Sequence, residues 1–306
     1  MQSIDANIYK KTRIGYIRQN YRGYLLMLPY LLIFVTFTVW PVISAIGLSL
    51  TSFNVFESPK FLGFQNYVQL FFNDSVFLKS MQNTFLLSIV VGPVSYFLSL
   101  FLAWAVNELR NPWKTLLTVI FYLPTLSNAT FTIWLIVFDG DIYGYLNSML
   151  IKSGFIADPI QWTRDPRYMM MVVVIVQLWV SMGTSFLTLR AGFNTIDRQY
   201  YEAAGIDGVR NRFQELWYVT LPMMAPHLML SAVLAITATF TTETVATVMT
   251  GFPSVNYATH TMMHHMQDFA TIRYERGYAS AIATVLFLFS LTANKISQKL
   301  ISKVGK

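Results

Sequence analysis

The feature that most constrains this chain is a charged segment between two long apolar stretches. Residues 197–222 read DRQYYEAAGIDGVRNRFQELWYVTLP, in which seven residues are charged, and Arg190 adds another charge just upstream. The hydrocarbon core of a bilayer cannot hold so many charges. We therefore predict that this segment lies in water while the apolar stretches on both sides of it cross a membrane.

The charged segment is itself predicted to fold. Residues 200–204 suit a short helix that Asp197 or Thr195 could cap. Two glycines then interrupt the pattern, and residues 209–217 can begin a second helix before a Leu-Pro pair ends the segment. The pattern indicates a helix-turn-helix unit on the face of a membrane protein, and a loop that folds is expected to contact a partner.

Composition agrees with a membrane protein. The chain has 306 residues, of which 54% are hydrophobic and 12% charged, and its mean hydropathy is +0.46. A soluble domain carries about 25% charged residues. The chain has no cysteine, which excludes a disulfide framework, a cysteine-bearing zinc site and thiol catalysis.

Six apolar stretches are each close to the ~20 residues that a helix needs to cross a bilayer. The predicted spans are residues 24–50, 81–107, 115–138, 168–189, 223–250 and 277–294. They define one transmembrane domain, with boundaries at 1–23 for a polar N-terminal segment, 24–294 for the domain, 190–222 for its charged loop and 295–306 for a basic tail. The predicted fold class is all-α: a polytopic membrane protein of six helices with a helix-turn-helix loop.

The basic residues predict the orientation of these spans. If both termini are cytoplasmic, the inner segments hold fifteen of the 22 Lys and Arg, including those of the charged loop. Because inner loops are enriched in Lys and Arg, both termini and the loop are predicted to be cytoplasmic. Membrane orientation also explains the net charge of +7, so no nucleic-acid partner is predicted.

The loop carries a resemblance to a known family. Glu-Ala-Ala at 202–204, then Gly208 and, after ten residues, Val-Thr-Leu-Pro at 219–222 resemble the EAA signature of permease subunits in binding-protein-dependent ABC importers. The stretch YEAAGIDG at 201–208 is similar to the version in the sugar-transporting branch, although Val219 stands where isoleucine is usual and the customary proline before the motif is missing. Further likenesses extend the resemblance over nearly the whole chain from Tyr24.

The resemblance implies an all-α permease of the type I importers, half of a translocation pathway for an oligosaccharide or related carbohydrate. Its implied partners are a second homologous permease in a heterodimer, two ATP-binding subunits, an extracytoplasmic solute-binding protein and the lipid bilayer of a bacterial or archaeal cell (inner) membrane. The chain has no G-x-x-x-x-G-K-[ST] phosphate loop. It is therefore predicted to be a transport subunit without a cofactor, while ATP and magnesium bind the partner ATPases.

In this family the loop seats a short helix in a cleft of an ATPase, so ATP-driven closure moves the spans. Carried over to this sequence, the motif implies a set of candidate coupling residues. They are Tyr201, Glu202, Ala203, Ala204, Gly205, Asp207, Gly208, Leu221 and Pro222.

Candidate substrate-path residues begin with Glu243 in the fifth predicted span. A carboxylate inside a span costs ~2.5–3.5 kcal/mol on insertion scales, so it should face a cavity or a partner. Thr239 and Thr247 lie four residues to either side and share its helix face. The three residues form a polar stripe that either lines a sugar path or makes structural hydrogen bonds.

Four further residues could line the path: Asn128, Trp134, Gln177 and Trp179. Aromatic faces and amide groups suit a sugar, which has apolar faces and a polar rim. The alternative for each tryptophan is an anchor at the membrane interface.

His260, His264 and His265 form the pattern H-x-x-x-H-H, with Asp268 nearby. A metal site would need a matching ligand set elsewhere, and the sequence offers none, so no metal is predicted. The segment is instead expected to be a wet external surface that meets the solute-binding protein.

Three alternatives remain at this stage. The importer could carry a different solute, such as a polyol phosphate. An ion-coupled secondary transporter would need more intramembrane charges than Glu243 alone supplies. A membrane enzyme built on the histidines would need further ligands at the same face, such as Asp268 with Glu275. Neither of the last two explains why the inner loop should fold.

Overall fold

The computed structural model describes residues 21–125, 130–240 and 243–301, and the structural statements below refer to these ranges. Within them the chain folds into helices, with one isolated antiparallel bridge between Thr51 and Phe61 and no strand. The predicted all-α class is confirmed. The helices are α1 (Tyr21–Leu48), α2 (Gln65–Val68), α3 (Ser75–Asn107), α4 (Trp113–Tyr122), α5 (Phe131–Val137), α6 (Tyr145–Lys152), α7 (Pro166–Asn194), α8 (Arg198–Ile206), α9 (Arg212–Met223), α10 (Ala225–Phe240), α11 (Glu243–Thr250), α12 (Met262–Gln267) and α13 (Arg276–Ile301).

Four of these helices are single candidates for crossing a bilayer by length and composition, namely α1, α3, α7 and α13. A fifth candidate is the pair α9 and α10, which is bent by 83°. The predicted third span, residues 115–138, is divided between α4 and α5, and residues 126–129 lie outside the described ranges. The count of six spans therefore stays a prediction.

The centre of the fold is formed by α3, α7 and α10, which pack closely through small side chains. Ser99 Oγ donates to the carbonyl of Met182 at 3.2 Å, and Ser185 Oγ donates to the carbonyl of Ser231 at 3.2 Å. At Gly183 a Cβ atom would lie 2.4 Å from Thr125 Cγ2. Small residues let helix backbones approach in a bilayer, where lipid removes the usual hydrophobic driving force.

The outside of the fold is apolar to a degree that only lipid or a protein partner can accommodate. Helix α1 contains no buried residue in its spanning window, and Leu26 and Phe37 are 81% and 76% exposed. A water-soluble surface of this kind would aggregate. These side chains are placed to face hydrocarbon or another membrane subunit.

Two connections between helices are also ordered by buried polar groups. The segment between α5 and α7 is organised by Asn147, which is fully buried. Its amide nitrogen donates to three backbone carbonyls, and its oxygen accepts from Ile160 N and Trp162 Nε1. The second connection, residues 251–275 between α11 and α13, carries the three histidines.

Candidate functional site

The charged loop folds as two helices separated by a turn, as predicted. Helix α8 begins after Asp197, whose carboxylate accepts from Gln199 N at 3.2 Å, so Asp197 rather than Thr195 is the cap. The helix continues through Gly205, which was predicted to interrupt it, and ends at Ile206. Gly208, two residues later, has a φ of +98°. Val209 N donates to the Ala204 carbonyl at 3.0 Å. This hydrogen bond is typical of a helix end that is followed by a left-handed residue, here Gly208.

The second half of the loop is fastened to the end of α3. Asn211 caps α9 by accepting from Gln214 N at 2.8 Å. Arg212 lies between two carboxylates, with Nη1 2.8 Å from Glu215 Oε2 and Nε 3.4 Å from Glu108 Oε2. These residues are absent from the sequence-based candidates, because the contact with Glu108 joins positions that are far apart in the chain.

Tyr201 joins the two halves of the loop. Its hydroxyl lies 3.0 Å from Thr220 Oγ1, and Thr220 in turn donates to the Glu215 carbonyl at 3.2 Å. Thr220 lies in the last turn of α9, four residues before Met224, where the chain bends into α10. The hydrogen bond from Tyr201 therefore ties α8 to the last turn of α9.

The predicted coupling residues divide between two faces. Ala204 and Leu221 are buried and Tyr201 and Pro222 are half-buried, whereas the others are exposed: Glu202, Ala203, Gly205, Asp207 and Gly208. Ile206 joins the exposed set at 88% exposure, although the motif did not single it out. A large apolar residue beside a charged turn is the signal that could have found it, since such a residue is costly to leave in water.

A second feature is an open cavity of about 390 Å³ between α5, α7, α10 and α11. This volume is within the ~300–1,000 Å³ of typical small-molecule sites. None of the described residues that line it is ionisable. The lining residues are Thr125, Phe131, Gln177, Val180, Ser181, Thr184, Leu234, Thr237, Ala238, Thr244 and Val245.

Gln177 is the predicted path residue that reaches this cavity. Its side chain is buried, and Nε2 donates to Ser181 Oγ at 3.0 Å and to the Ala238 carbonyl at 3.4 Å. Its Oε1 atom has no hydrogen-bond partner among the described residues. A buried amide oxygen of this kind costs roughly 1–3 kcal/mol unless a water or a ligand hydroxyl satisfies it.

The polar stripe of Thr239, Glu243 and Thr247 lies outside this lining. Thr239 Oγ1 donates to Ser88 Oγ at 3.3 Å, and the Glu243 carboxylate hydrogen-bonds the side chain of Gln267. Thr247 Oγ1 lies 2.9 Å from a ring nitrogen of a histidine on α12. The stripe thus connects α10 and α11 to α3 and to the segment before α13, while Glu243 and Thr247 keep some exposure.

The predicted tryptophan pair is brought together. The rings of Trp134 and Trp179 meet edge to face with centroids 5.5 Å apart, and Trp134 also stacks on Phe138. Trp134 Nε1 is buried without a partner in the described part of the chain. Asn128, the remaining candidate, lies outside the described residues.

The expectation of a wet histidine surface is wrong. His260, His264 and His265 are 3%, 2% and 3% exposed. They are buried because the segment that carries them folds back onto α3, α11 and α13, which local sequence does not reveal. In the ranges that the structure describes, no three His, Asp or Glu side chains are placed to hold a metal ion.

Comparison with known proteins settles the family. The profile of the binding-protein-dependent transport system inner membrane component family matches residues 95–304, more than half of the chain. The chain belongs to this family. It is a membrane-embedded permease of the ABC transporters, a transport component rather than an enzyme.

Individual relatives of the permease agree over most of its length. It is 29% identical to the probable ABC transporter permease protein YesP of Bacillus subtilis, over 92% of this chain and 91% of the relative. It is 26% identical to the sulfoquinovosyl glycerol transport system permease protein SmoG of Agrobacterium fabrum, over 90% and 89%. Its fold matches a chain of a bacterial alginate ABC transporter, solved with an alginate pentasaccharide-bound periplasmic protein, with a TM-score of 0.75, 20% identity and coverage of 97% and 99%.

Replacing Tyr201 of this permease with phenylalanine removes the hydroxyl through which α8 forms a hydrogen bond with Thr220. We expect Tyr201→Phe to weaken the attachment of α8 by about 0.5–1.5 kcal/mol, the net contribution of one hydrogen bond. Amide hydrogen exchange in Arg198–Ile206 should become faster. The matched control is Tyr200→Phe, because Tyr200 is exposed on the same helix. Equal exchange in both variants would contradict the structural role of the Tyr201 hydroxyl.

Proposed function

We propose that this permease forms half of the pathway by which an ATP-driven importer carries an uncharged oligosaccharide or related carbohydrate into the cell. The observation that carries the proposal is the cavity lined by Gln177 and five hydroxyl side chains without a charge. Hydroxyl and amide groups both donate and accept hydrogen bonds, which matches the rim of a sugar ring. Apolar lining residues match its faces.

The lining also supports an uncharged solute over a polyol phosphate. Recognition of a phosphate or carboxylate normally uses Arg or Lys. No such side chain is among the described residues that line the cavity. SmoG and the alginate transporter, whose named solutes are a sugar derivative and an acidic polysaccharide, support the carbohydrate class. The absence of charge on the solute is inferred from the described lining of the cavity alone.

The proposal includes partners that complete the importer. A second homologous permease forms the other half of the pathway, in a heterodimer. Two ATP-binding subunits hold ATP and magnesium, and their contact is the exposed face of α8 around Glu202 and Ile206. An extracytoplasmic binding protein delivers the solute, as the periplasmic protein in the alginate structure suggests by analogy.

The proposed orientation places both termini and the charged loop in the cytoplasm of a bacterial or archaeal cell. Reporter fusions after Val209 should therefore report a cytoplasmic location. Fusions near Asp158 or Tyr257 should report the outside. An external signal at Val209 would overturn the orientation and, with it, the placement of the ATPase contact.

Gly208 offers a test of the coupling role. A β-branched side chain is strained at a φ of +98°, so Gly208→Val should distort the end of α8 without affecting membrane insertion. In the complex with its partners, uptake should fall at least tenfold, while ATP hydrolysis either persists without transport or fails because the subunits do not assemble. The isolated permease should hydrolyse no ATP.

Gly208→Asn is the matched control, because asparagine tolerates left-handed conformations better than valine. Its uptake should lie between those of the wild type and Gly208→Val. Wild-type uptake in Gly208→Val would remove the coupling hypothesis. ATP hydrolysis by the purified chain alone would contradict the proposal that only the partner subunits hydrolyse ATP.

Two substitutions separate the cavity from the polar stripe. Gln177→Leu removes the unpaired amide oxygen and should reduce the affinity for the carbohydrate, by roughly 1–3 kcal/mol if a sugar hydroxyl pairs with it. Glu243→Gln should cost a similar amount if the charge contacts the sugar, and Glu243→Leu more. Uptake at matched expression is measured beside ATPase activity stimulated by the loaded binding protein.

The pattern of results distinguishes the two roles. Reduced uptake with persistent stimulated hydrolysis assigns a residue to the path. If Glu243→Leu transports normally, the stripe is structural and its bonds to Ser88, Gln267 and α12 are its function. If Gln177→Leu also transports normally, the cavity is not the sugar site.

A further inference from the structure

The transport mechanism leaves one buried polar cluster unused. It lies in the histidine segment, residues 251–275 between α11 and α13, where three histidines are almost completely buried. Each buried ring nitrogen must be satisfied or cost free energy. The hydrogen bonds of these rings reach Asp74 at the start of α3 and Thr247 on α11, and Tyr278 of α13 bonds the same Asp74.

The first set of bonds is centred on Asp74, the cap of α3. Its Oδ2 atom lies 2.9 Å from His265 Nε2 and accepts from the Tyr278 hydroxyl at 2.8 Å, while Oδ1 accepts from Phe77 N at 2.8 Å. Partial burial raises the pKa of Asp74, but the bonds from His265, Phe77 and Tyr278 outweigh it and bring the pKa to about 2. Asp74 is therefore ionised and can only accept, so His265 donates from Nε2.

The ring of His265 also contacts a second histidine. Its Nδ1 atom lies 3.3 Å from His260 Nε2. The remaining nitrogen, His260 Nδ1, is buried and has no hydrogen-bond partner among the described residues. This nitrogen is the last atom in a series of contacts that runs from Asp74 through His265 to His260.

His264 holds the segment to α11. The backbone N–H of Thr261 donates to His264 Nδ1 at 3.2 Å, so the proton of the uncharged ring is on Nε2. That Nε2 lies 2.9 Å from Thr247 Oγ1. The rings of His260 and His264 stack with centroids 5.5 Å apart, so two protonated rings would place like charges close together.

The backbone of the histidine segment has a residue with positive φ at each end. Gly251 has a φ of +79° at its start and Tyr274 has a φ of +59° at its finish. A bulky residue in the left-handed region is strained and persists only while its surroundings hold it. Between these ends, Asn83 on α3 donates to the carbonyls of Tyr257 and His260 at 3.0 and 2.9 Å. Polar bonds to the helices thus hold the segment in place.

The surroundings of His260 and His264 keep these two rings uncharged at neutral pH. Burial lowers the pKa of His260 to about 3, with further contributions from the neighbouring histidines, and lowers the pKa of His264 to about 4. The titratable and charged groups that act on these two rings are Asp74 at the start of α3, Glu243 from α11, and Tyr257, His265 and Arg273 of the segment itself. Behind them, Tyr278 of α13 bonds Asp74, Asp268 pairs with Arg273, and Glu275 acts on Tyr278.

We propose that the histidine segment is an acid-sensitive latch. At neutral pH the uncharged rings of His260 and His264 hold residues 251–275 against α3, α11 and α13, and protonation of these two rings releases the segment. The proposal rests on the proposed orientation, which exposes this side of the permease to the medium outside the cell. The latch makes the outer end of the pathway responsive to external acid.

The number of protons bound in the latched and released states determines how pH shifts the ratio between them. A released ring regains its ordinary pKa of 6.5, so the released state binds more protons than the latched state whenever the pH is below 6.5. Each ring shifts the ratio of released to latched segment by up to roughly tenfold per pH unit in this range. The shift ends near pH 4 to 3, where the buried rings themselves would become protonated.

The chain has no cysteine, so a label found on this chain, after it is separated from its partners, reports an introduced thiol. The labelling is done on the complete transporter in nanodiscs. Ser254→Cys places a thiol at a position that is 6% exposed in the segment, and Ser153→Cys places one at an exposed position of another connection. The ratio of their alkylation rates cancels the pH dependence of the thiol itself. We expect this ratio to rise at least tenfold from pH 7.5 to pH 5.0.

The control is a background with His260→Gln and His264→Gln, because glutamine can supply the N–H at the Nε2 position without titrating. In this background the ratio should change less than twofold. His264→Gln alone should leave about half of the logarithmic change, which keeps the test decisive if the double variant does not assemble. A constant ratio in the wild-type histidine background, or an undiminished rise in the glutamine variants, would overturn the latch.

Carbohydrate uptake at pH 7.5 is measured on the same preparations. If uptake is present and the ratio is constant with pH, the latch is wrong and the proposed function stands. If the ratio rises as expected but no carbohydrate is transported, the latch stands and the proposed function fails.

Discussion

The structure depends on one constraint: hydrocarbon offers no hydrogen bonds, so each polar group within a span must find its partner in the protein. Helices satisfy the backbone. The hydroxyl of Ser99 bonds across to the carbonyl of Met182, and that of Ser185 bonds across to the carbonyl of Ser231, which joins α3, α7 and α10. Small side chains at these crossings allow the close approach. The unpaired amide oxygen of Gln177 stands out against this background, because it borders a cavity where a hydroxyl-bearing molecule could satisfy it.

The same constraint separates the part of the chain in water from the part in lipid. The charges of residues 197–215 cannot enter a bilayer, so the chain folds them into α8 and the start of α9 and then turns by 83° into α10. Tyr201 and Arg212 fasten this unit to Thr220 and Glu108. A loop tied to the spans by side-chain bonds can transmit force, whereas a flexible loop could not, and this is the physical basis for the proposed coupling role.

Polar residues of α7, α10 and α11 form two distinct surfaces. The lining of the cavity is uncharged and open, which suits a solute that must bind weakly and leave. The stripe of Thr239, Glu243 and Thr247 is engaged with Ser88, Gln267 and His264, and so connects the fifth span to the histidine segment. One helix, α11, therefore presents Thr244 to the cavity and Thr247 to the segment, which brings the proposed substrate surface and the proposed pH-responsive surface within one turn of each other.

The sequence by itself determined the features that depend on neighbours along the chain. Runs of apolar residues indicated the helical membrane class, and the two possible caps, Asp197 and Thr195, with the glycines at 205 and 208 indicated a short helix, because caps and left-handed turns are local. The structure then selected Asp197 as the cap and Gly208 as the left-handed residue. Only the tertiary structure decided the burial of the histidines, the cavity at Gln177 and the partners of Glu243. Those depend on contacts such as Asp74 with His265, 191 residues apart, and no local pattern encodes which distant helix will lie opposite. The side of a helix that meets water, lipid or another helix is a property of the packed bundle.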